Sequence, residues 1–457
     1  MQIASILTPE LREMLAVNDS DGLREFCEAM HPASTAEFLE ELESNEIWQV
    51  LSHTNASRQA GIIQYFPDQR RSELVRIAGR ERLARVIEAM ASDDRVDLLK
   101  DLDPELRDDM LPLVAQAERE DIRRLLSYPE DSVGAVMTTD YAWFPEDLTS
   151  SEALARLRLQ APDRETIYYV YILNGDRRLI GVVTLRQLIL ARPLQKLGEF
   201  MERSVITVPV NENKEQAAQK LAHYDFIAMP VVDSEGRLVG IITHDDVMDV
   251  VVQAATEDAY RMGAVGPIEE SYLEAAFHTV WQKRSFWLSC LFVGELFTVM
   301  ALAHFQETLD KIVALAFFVA LCISTGGNSG SQAATLITRA MALGQVSVRD
   351  WGYVLWHELL MGLALGVTLG LIGLVTIAIL PESVLAGTPR WKLTLVISQA
   401  VSAICLWGTV VGSMLPLVFK RMGIDPGIAS SPFVATFVDV TGNVIYFSLA
   451  TLYLLKT

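Results

Sequence analysis

Asp439 lies inside an apolar stretch, with no basic residue within a helical turn of it. A carboxyl group at membrane depth costs at least a few kcal/mol unless something compensates it. Pro432, Thr436, Asp439 and Asn443 recur at i, i+4, i+7 and i+11, which places them on one face of a helix. A second apolar stretch carries T-G-G-N-S-G-S-Q-A-A-T at residues 325–335. There Asn328, Gln332 and Thr335 form another polar stripe, at i, i+4 and i+7. Gly326, Gly327 and Gly330 remove bulk beside it and permit local unwinding, which leaves carbonyl oxygens free. Such backbone survives at membrane depth only where it lines a cavity or is covered by protein. One carboxylate, amides, hydroxyls and carbonyls make an oxygen-only set suited to a hard cation. The competing reading is a protonated Asp439 bonded to a neighbouring helix.

Other charges raise weaker questions. Asp93 and Asp97 share a helix face, an arrangement that is mildly destabilising by itself. They are either solvated surface or half of a cation site completed by another domain. Asp245, Asp246, Asp249, Glu257 and Asp258 fall on a connecting helix expected from about residue 245 to 266. Glu295 stands alone in an apolar stretch and is compatible with packing or with a cavity. His357-Glu358 suggests H-E-x-x-H, but position 361 is Met361, so the zinc motif is broken. The four cysteines are scattered singly, and no nucleophile–base pair is evident, so an enzyme is not expected.

These residues need elements to carry them. Five stretches are long and apolar enough to cross a bilayer: about 285–305, 312–338, 354–380, 393–419 and 428–455. Glu358, Gly362, Gly366 and Gly370 in the third, and Gly408 and Gly412 in the fourth, recur every four residues, a pattern of close helix packing. Lys283, Arg284, Arg339, Arg349, Lys420 and Arg421 fall on one side, the side of the N-terminal region, which is then cytoplasmic. An odd number of spans puts the C-terminal Thr457 outside. The chain of 457 residues has a net charge of −20, and residues 1–268 hold −19 of it. An acidic, water-soluble front is therefore joined to a nearly neutral, apolar back. Clustered Lys and Arg are lacking, which argues against a nucleic-acid partner. The first 18 residues lack a basic stretch followed by an apolar one, so no signal peptide is expected.

The front contains an internal repeat. R-L-I-G-V-V-T at residues 178–184 matches R-L-V-G-I-I-T at residues 237–243. Each copy follows a β-rich run and leads into a helix, a supersecondary unit that stacks on its duplicate. The pattern resembles a tandem pair of CBS domains, a regulatory module that pairs as dimers and often binds adenosine nucleotides. Residues 1–130 show helical periodicity without strand signals, as expected of a compact α-helical superhelix. Short connectors such as Pro67-Asp68 and Asp103-Pro104 interrupt it. The expected fold is a multidomain α plus α/β membrane protein. Its parts are an N domain over 1–130, a CBS pair over 131–248, a connecting plug helix over 249–284 and a five-helix transmembrane domain over 285–457.

That order, with G-G-N-x-G-x-Q in the second span and D-P-x-x-A-S-x-P-F-x-x-T-x-x-D-V-x-G at residues 425–442, resembles the MgtE family of magnesium channels. E-T-I-Y-Y-V-Y at 165–171 and A-T-E-D at 255–258 resemble it too. The resemblance implies a homodimer in the inner membrane, with a pore near the dimer axis lined by spans two and five. It assigns Asp439 and Asn328 to that pore, with Gly326, Gly327, Gln332, Thr436 and Asn443 beside them. It implies a cytoplasmic Mg²⁺ sensor formed by Asp93, Asp97, Glu215, Asp225, Asp245, Asp246, Asp249, Glu257 and Asp258, which closes the pore when loaded. The implied activity is Mg²⁺-selective uptake. The alternatives are transport of Mn²⁺ or Co²⁺, or a non-conducting membrane sensor of Mg²⁺ or nucleotide. The family's nucleotide resemblance centres on Tyr169, Arg186 and Phe226. The first repeat departs from [ST]-x-x-D, however, with Gln187 in place of Asp. An amide cannot accept both ribose hydroxyl hydrogen bonds as a carboxylate does, so weak or absent ATP binding is expected.

Overall fold

The computed structural model describes residues 4–100, 102, 104–161, 164–268, 272–273 and 275–455; Asp103 and Thr457 lie outside the described residues. It divides into two compact units, Met1–Gln253 and Ala254–Thr457.

In the first unit, short helices from Ala4–Val17 to Gln116–Leu126 stack on a shared apolar core that includes Leu39, Ile47, Trp48, Ile63, Leu74 and Ile87. Local signals set their ends. Asn55 caps Ala56–Ile63 by accepting from the Arg58 amide, and Asp19 caps Ser20–Ala29.

Two three-stranded sheets follow, with the same topology. The strands are β1 (Tyr141–Phe144), β2 (Thr166–Leu173), β3 (Leu179–Thr184), β4 (Val208–Pro209), β5 (Ala228–Val232) and β6 (Leu238–Thr243). The first strand of each sheet pairs parallel to the second, and the second pairs antiparallel to the third. Tyr169 opposes Thr184 in one copy as Ala228 opposes Thr243 in the other, so the sequence repeat is a structural repeat. The copies share a core of Tyr141, Tyr171, Ala228, Leu238 and Ile241. The Tyr141 hydroxyl donates to the Leu238 carbonyl at 3.1 Å.

The helix after β6 runs from His244 to Met262. It is shorter at its far end than the expected connector, and the boundary between the units falls within it. Helical structure resumes at Phe277, so the expected membrane border at 284 lies inside the first spanning helix.

Five helices of the second unit are long and apolar enough to span a membrane. They are span one (Phe277–His304), span two (Ala314–Ala342), span three (Val348–Ile379), span four (Arg390–Arg421) and span five (Ser431–Leu455). Span two is one uninterrupted α-helix, so the unwinding that Gly326–Gly330 permit does not occur. Its glycines serve close approach instead. A Cβ on Gly408 would stand 2.3 Å from the Gly326 carbonyl oxygen, and one on Gly412 would stand 2.0 Å from that of Gly330. Any side chain there would force spans two and four apart. Span three meets span four in the same manner, and Ser402 Oγ donates to the Gly366 carbonyl at 2.7 Å.

Candidate functional site

The acidic residues of the first unit converge because apolar residues beside them do. Val96, on the helix Ser92–Lys100, is 1% exposed and shares a core with Val247 and Val250 of the connecting helix. The same helix is fastened to the first CBS copy: Ser92 Oγ and Thr138 Oγ1 are 2.9 Å apart, and the Thr139 amide donates to Ser92 Oγ at 2.8 Å. Asp93, Asp94 and Asp97 are thereby held near Asp245, Asp246 and Asp249, and Glu165 at the start of β2 joins them.

The electrostatic result is mutual repulsion. Burial first, then the neighbouring carboxylates, pushes Asp94 up to about 6 and Glu165 up to about 7. Burial pushes Asp246 up to about 6 and raises Asp249, with Asp245 and Asp97 adding repulsion in both cases. Asp93 is raised well above the carboxylate range by burial, then by Asp246 and Asp94; its Oδ1 is buried without a hydrogen-bond partner. Basic groups oppose this: Lys100 Nζ donates to Asp97 at 2.9 Å, and Arg71 lowers Asp94. Among the described residues no three His, Cys, Asp or Glu side chains form a ready metal cage. Such a cage is not what Mg²⁺ uses, since it keeps several waters and takes one or two carboxylates.

Asp246 has a second task. It accepts from the amide and the hydroxyl of Thr243, capping the connecting helix. Gln187 does the same for Thr184 in the first copy, at 2.8 and 3.0 Å. The departure at Gln187 thus keeps the helix cap and loses the charge. Tyr169, Thr184, Gln187, Glu202 and Phe226 line a cavity of about 250 Å³ between the two copies. Its lining contains no Lys or Arg, and Arg186 is exposed outside it.

Glu215 and Asp225 are exposed, the first on the helix Lys214–His223 and the second just after it. Neither is among the carboxylates that act on Asp93, Asp94, Glu165, Asp246 or Asp249. Glu257 and Asp258 belong to the second unit, where Arg261 bonds both Glu257 and Asp425. Burial, then Asp425, raises Asp258.

In the membrane unit, spans one, two and five meet at Asp439. A Cβ on Gly327 of span two would lie 3.8 Å from Asp439 Oδ1, so that carboxyl faces bare backbone. Asn443, one turn further along span five, donates to the Asp439 carbonyl at 2.8 Å. Thr436 is half-buried, its methyl 3.2 Å from where a Cβ on Gly294 of span one would stand. Gly326 is buried against Ile404 and Val438, away from this face. Asn328 and Gln332 are exposed on the single chain, on a polar face of span two that also carries Ser324.

Residues 319–449 match the MgtE family, described as a divalent cation transporter. Residues 30–131 match the MgtE intracellular N domain, and 133–193 and 197–253 match the CBS domain. The chain is 36% identical over 455 residues, 98% of each chain, to the magnesium transporter MgtE of Thermus thermophilus. The chain belongs to the MgtE family. The magnesium transporter MgtE of Bacillus subtilis is 27% identical over 446 residues, covering 97% of each chain. Two solved structures are similar to the soluble front. One is the soluble part of a magnesium transporter, with 29% identity and a TM-score of 0.53, covering 55% of this chain and 99% of that one. The other is the cytosolic domain of the Mg²⁺ channel MgtE in complex with ATP, with 36% identity and a TM-score of 0.50, covering 52% and 98%. Membership agrees with the helical N domain, the CBS pair and the five spans.

Sequence reading missed three participants. Glu165 was visible only as part of a family phrase, because its nearness to Asp245 is a product of tertiary packing. Asp140, raised by burial and hydrogen-bonded by the Ser92 amide at 3.2 Å, carried no local signal. Arg261 reaches Asp425 across 164 residues of sequence.

Proposed function

We propose that this MgtE-family chain is a Mg²⁺-selective channel that mediates uptake and is closed by Mg²⁺ bound to its acidic cytoplasmic front. The carrying observation is Asp439, a carboxyl inside a spanning helix that faces the bare backbone of Gly327. One carboxylate with amides and hydroxyls around it suits a cation that keeps its waters. The exposed Asn328 and Gln332 would be costly against lipid tails, and a second copy of the chain would cover them. That supports a homodimer in the inner membrane, with a pore between polar faces, a cytoplasmic N-terminus and the far end of span five outside.

The acidic cluster supplies the gate. Apolar packing around Val96 draws the carboxylates together, and their repulsion drives them apart. Mg²⁺ binds only the gathered arrangement well and so shifts the population toward it. The connecting helix carries Asp245, Asp246 and Asp249 at one end and Glu257, Asp258 and Arg261 at the other, so an ion bound at its start acts on the helix that ends beside Asp425. Uptake then shuts off as cytoplasmic Mg²⁺ rises. Purified protein in liposomes tests this: Mg²⁺ influx is expected in the wild type and lost in Asp439→Ala. Wild-type influx in that variant would remove Asp439 from the pore.

A further inference from the structure

Span one brings an acidic residue of its own to Asp439. Glu295 lies on the helix Phe277–His304, and its carboxyl stands beside that of Asp439. An acidic pair inside a bilayer needs a compensating charge, which a cation between its oxygens supplies. Glu295 is the charged neighbour acting on Asp439; no basic side chain acts on it among the described residues.

The contact is fixed on both sides. Thr298 Oγ1 donates to Glu295 Oε2 at 2.7 Å, one turn along the same helix. Gly294 lets span one approach Thr436 closely, which sets the register of the two spans one residue from Glu295 and one turn from Asp439. A separate observation points to a ligand. Asn443 is 2% exposed, its Nδ2 is tied to the Asp439 carbonyl, and its Oδ1 is buried with no partner. A buried acceptor left unpaired is costly, and a donor such as a water of a hydrated cation removes that cost.

We infer that Glu295 is the second carboxylate of the membrane ion site and sets its preference for divalent over monovalent cations. With Asp439 alone each chain presents one negative charge, which a monovalent ion neutralises. With Glu295 it presents two, matching a hydrated divalent ion with Thr298, Asn443 and backbone around it.

This rests on the conducting role of Asp439, and the test separates the two. Full-length wild type, Glu295→Gln, Glu295→Asp and Asp439→Asn are reconstituted in liposomes, and Mg²⁺ and K⁺ fluxes are measured beside the melting temperature. Glu295→Gln is expected to lower the Mg²⁺-to-K⁺ flux ratio about tenfold at an unchanged melting temperature, with Glu295→Asp recovering part of it. A ratio in Glu295→Gln within about twofold of wild type, while Asp439→Asn still loses flux, overturns the role of Glu295 and leaves Asp439 standing. A loss matched by a fall in melting temperature in both Glu295 variants also overturns it, since packing then explains the effect. A wild type that carries no Mg²⁺ at all defeats the conducting reading itself.

Discussion

The two carboxylate sites of this chain are built on opposite plans. In the soluble front Asp93, Asp94, Glu165, Asp246 and Asp249 have raised proton affinities and crowd together with Asp97 and Asp245. In the membrane Asp439 stands with Glu295, Asn443 and the bare backbone of Gly327. A crowd of desolvated carboxylates repels itself, and the apolar core at Val96, Val247 and Val250 opposes that repulsion. Under the proposed function, such an arrangement has two states and responds to an ion, whereas a sparse site binds weakly enough to release what it takes up. On that reading many carboxylates make a sensor and few make a passage.

The largest effect that would break this comparison is at the sparse site. Asp439→Ala should lower Mg²⁺ flux by about 100-fold or more while the protein still folds, and Asp439→Asn should lose most of it, as liposome influx would show. Next comes the crowded site. Replacing Asp93, Asp97 and Asp249 with Ala removes repulsion and bridging bonds together. The triple variant should stay open at high Mg²⁺ and need about tenfold more Mg²⁺ for the same resistance to protease over residues 1–268. A variant locked shut would mean that repulsion alone holds the channel open.

A smaller effect sharpens the comparison through pH. Asp94 and Asp246 are pushed up to about 6 and Glu165 up to about 7, so the gathered state holds more protons than the separated one. Stability of the gathered state is then present at low pH and lost as pH rises through about 6 to 7. Without Mg²⁺, protease protection should be stronger at about pH 5.5 than at about pH 8, and saturating Mg²⁺ should flatten the difference. The smallest effect concerns the cavity between the CBS copies. With Gln187 in the helix cap and Glu202 in the lining, calorimetry should show weak or no ATP binding. Tight binding lost in Tyr169→Ala would reverse that expectation.

Much of this was legible before folding. Apolar length revealed the spans to within several residues, because a bilayer crossing demands it. The repeat at 178–184 and 237–243 became β3 and β6 with matching registers. Asp439 declared itself because an acid among apolar residues has few reasons to be there. The glycines of span two did not declare their role. Gly326 and Gly330 are compatible with unwinding or with close packing, and only the position of Gly408 and Gly412 decides for packing. The crowding of the front was half legible: the acids of the connecting helix share a sequence neighbourhood, but Glu165 and Asp140 arrive through tertiary contacts. Glu295 gave no sign of its partner, since no spacing rule links spans one and five.

The central claim is that the acidic front senses the ion that the membrane site passes. Mg²⁺ influx into liposomes, measured with Mg²⁺ varied separately on each face, tests it most directly. Influx is expected to fall steeply as Mg²⁺ reaches the millimolar range on the face carrying the soluble front. The same rise on the opposite face should only increase influx. Influx indifferent to Mg²⁺ on the soluble face would contradict the account and leave the acidic half a charged surface alone.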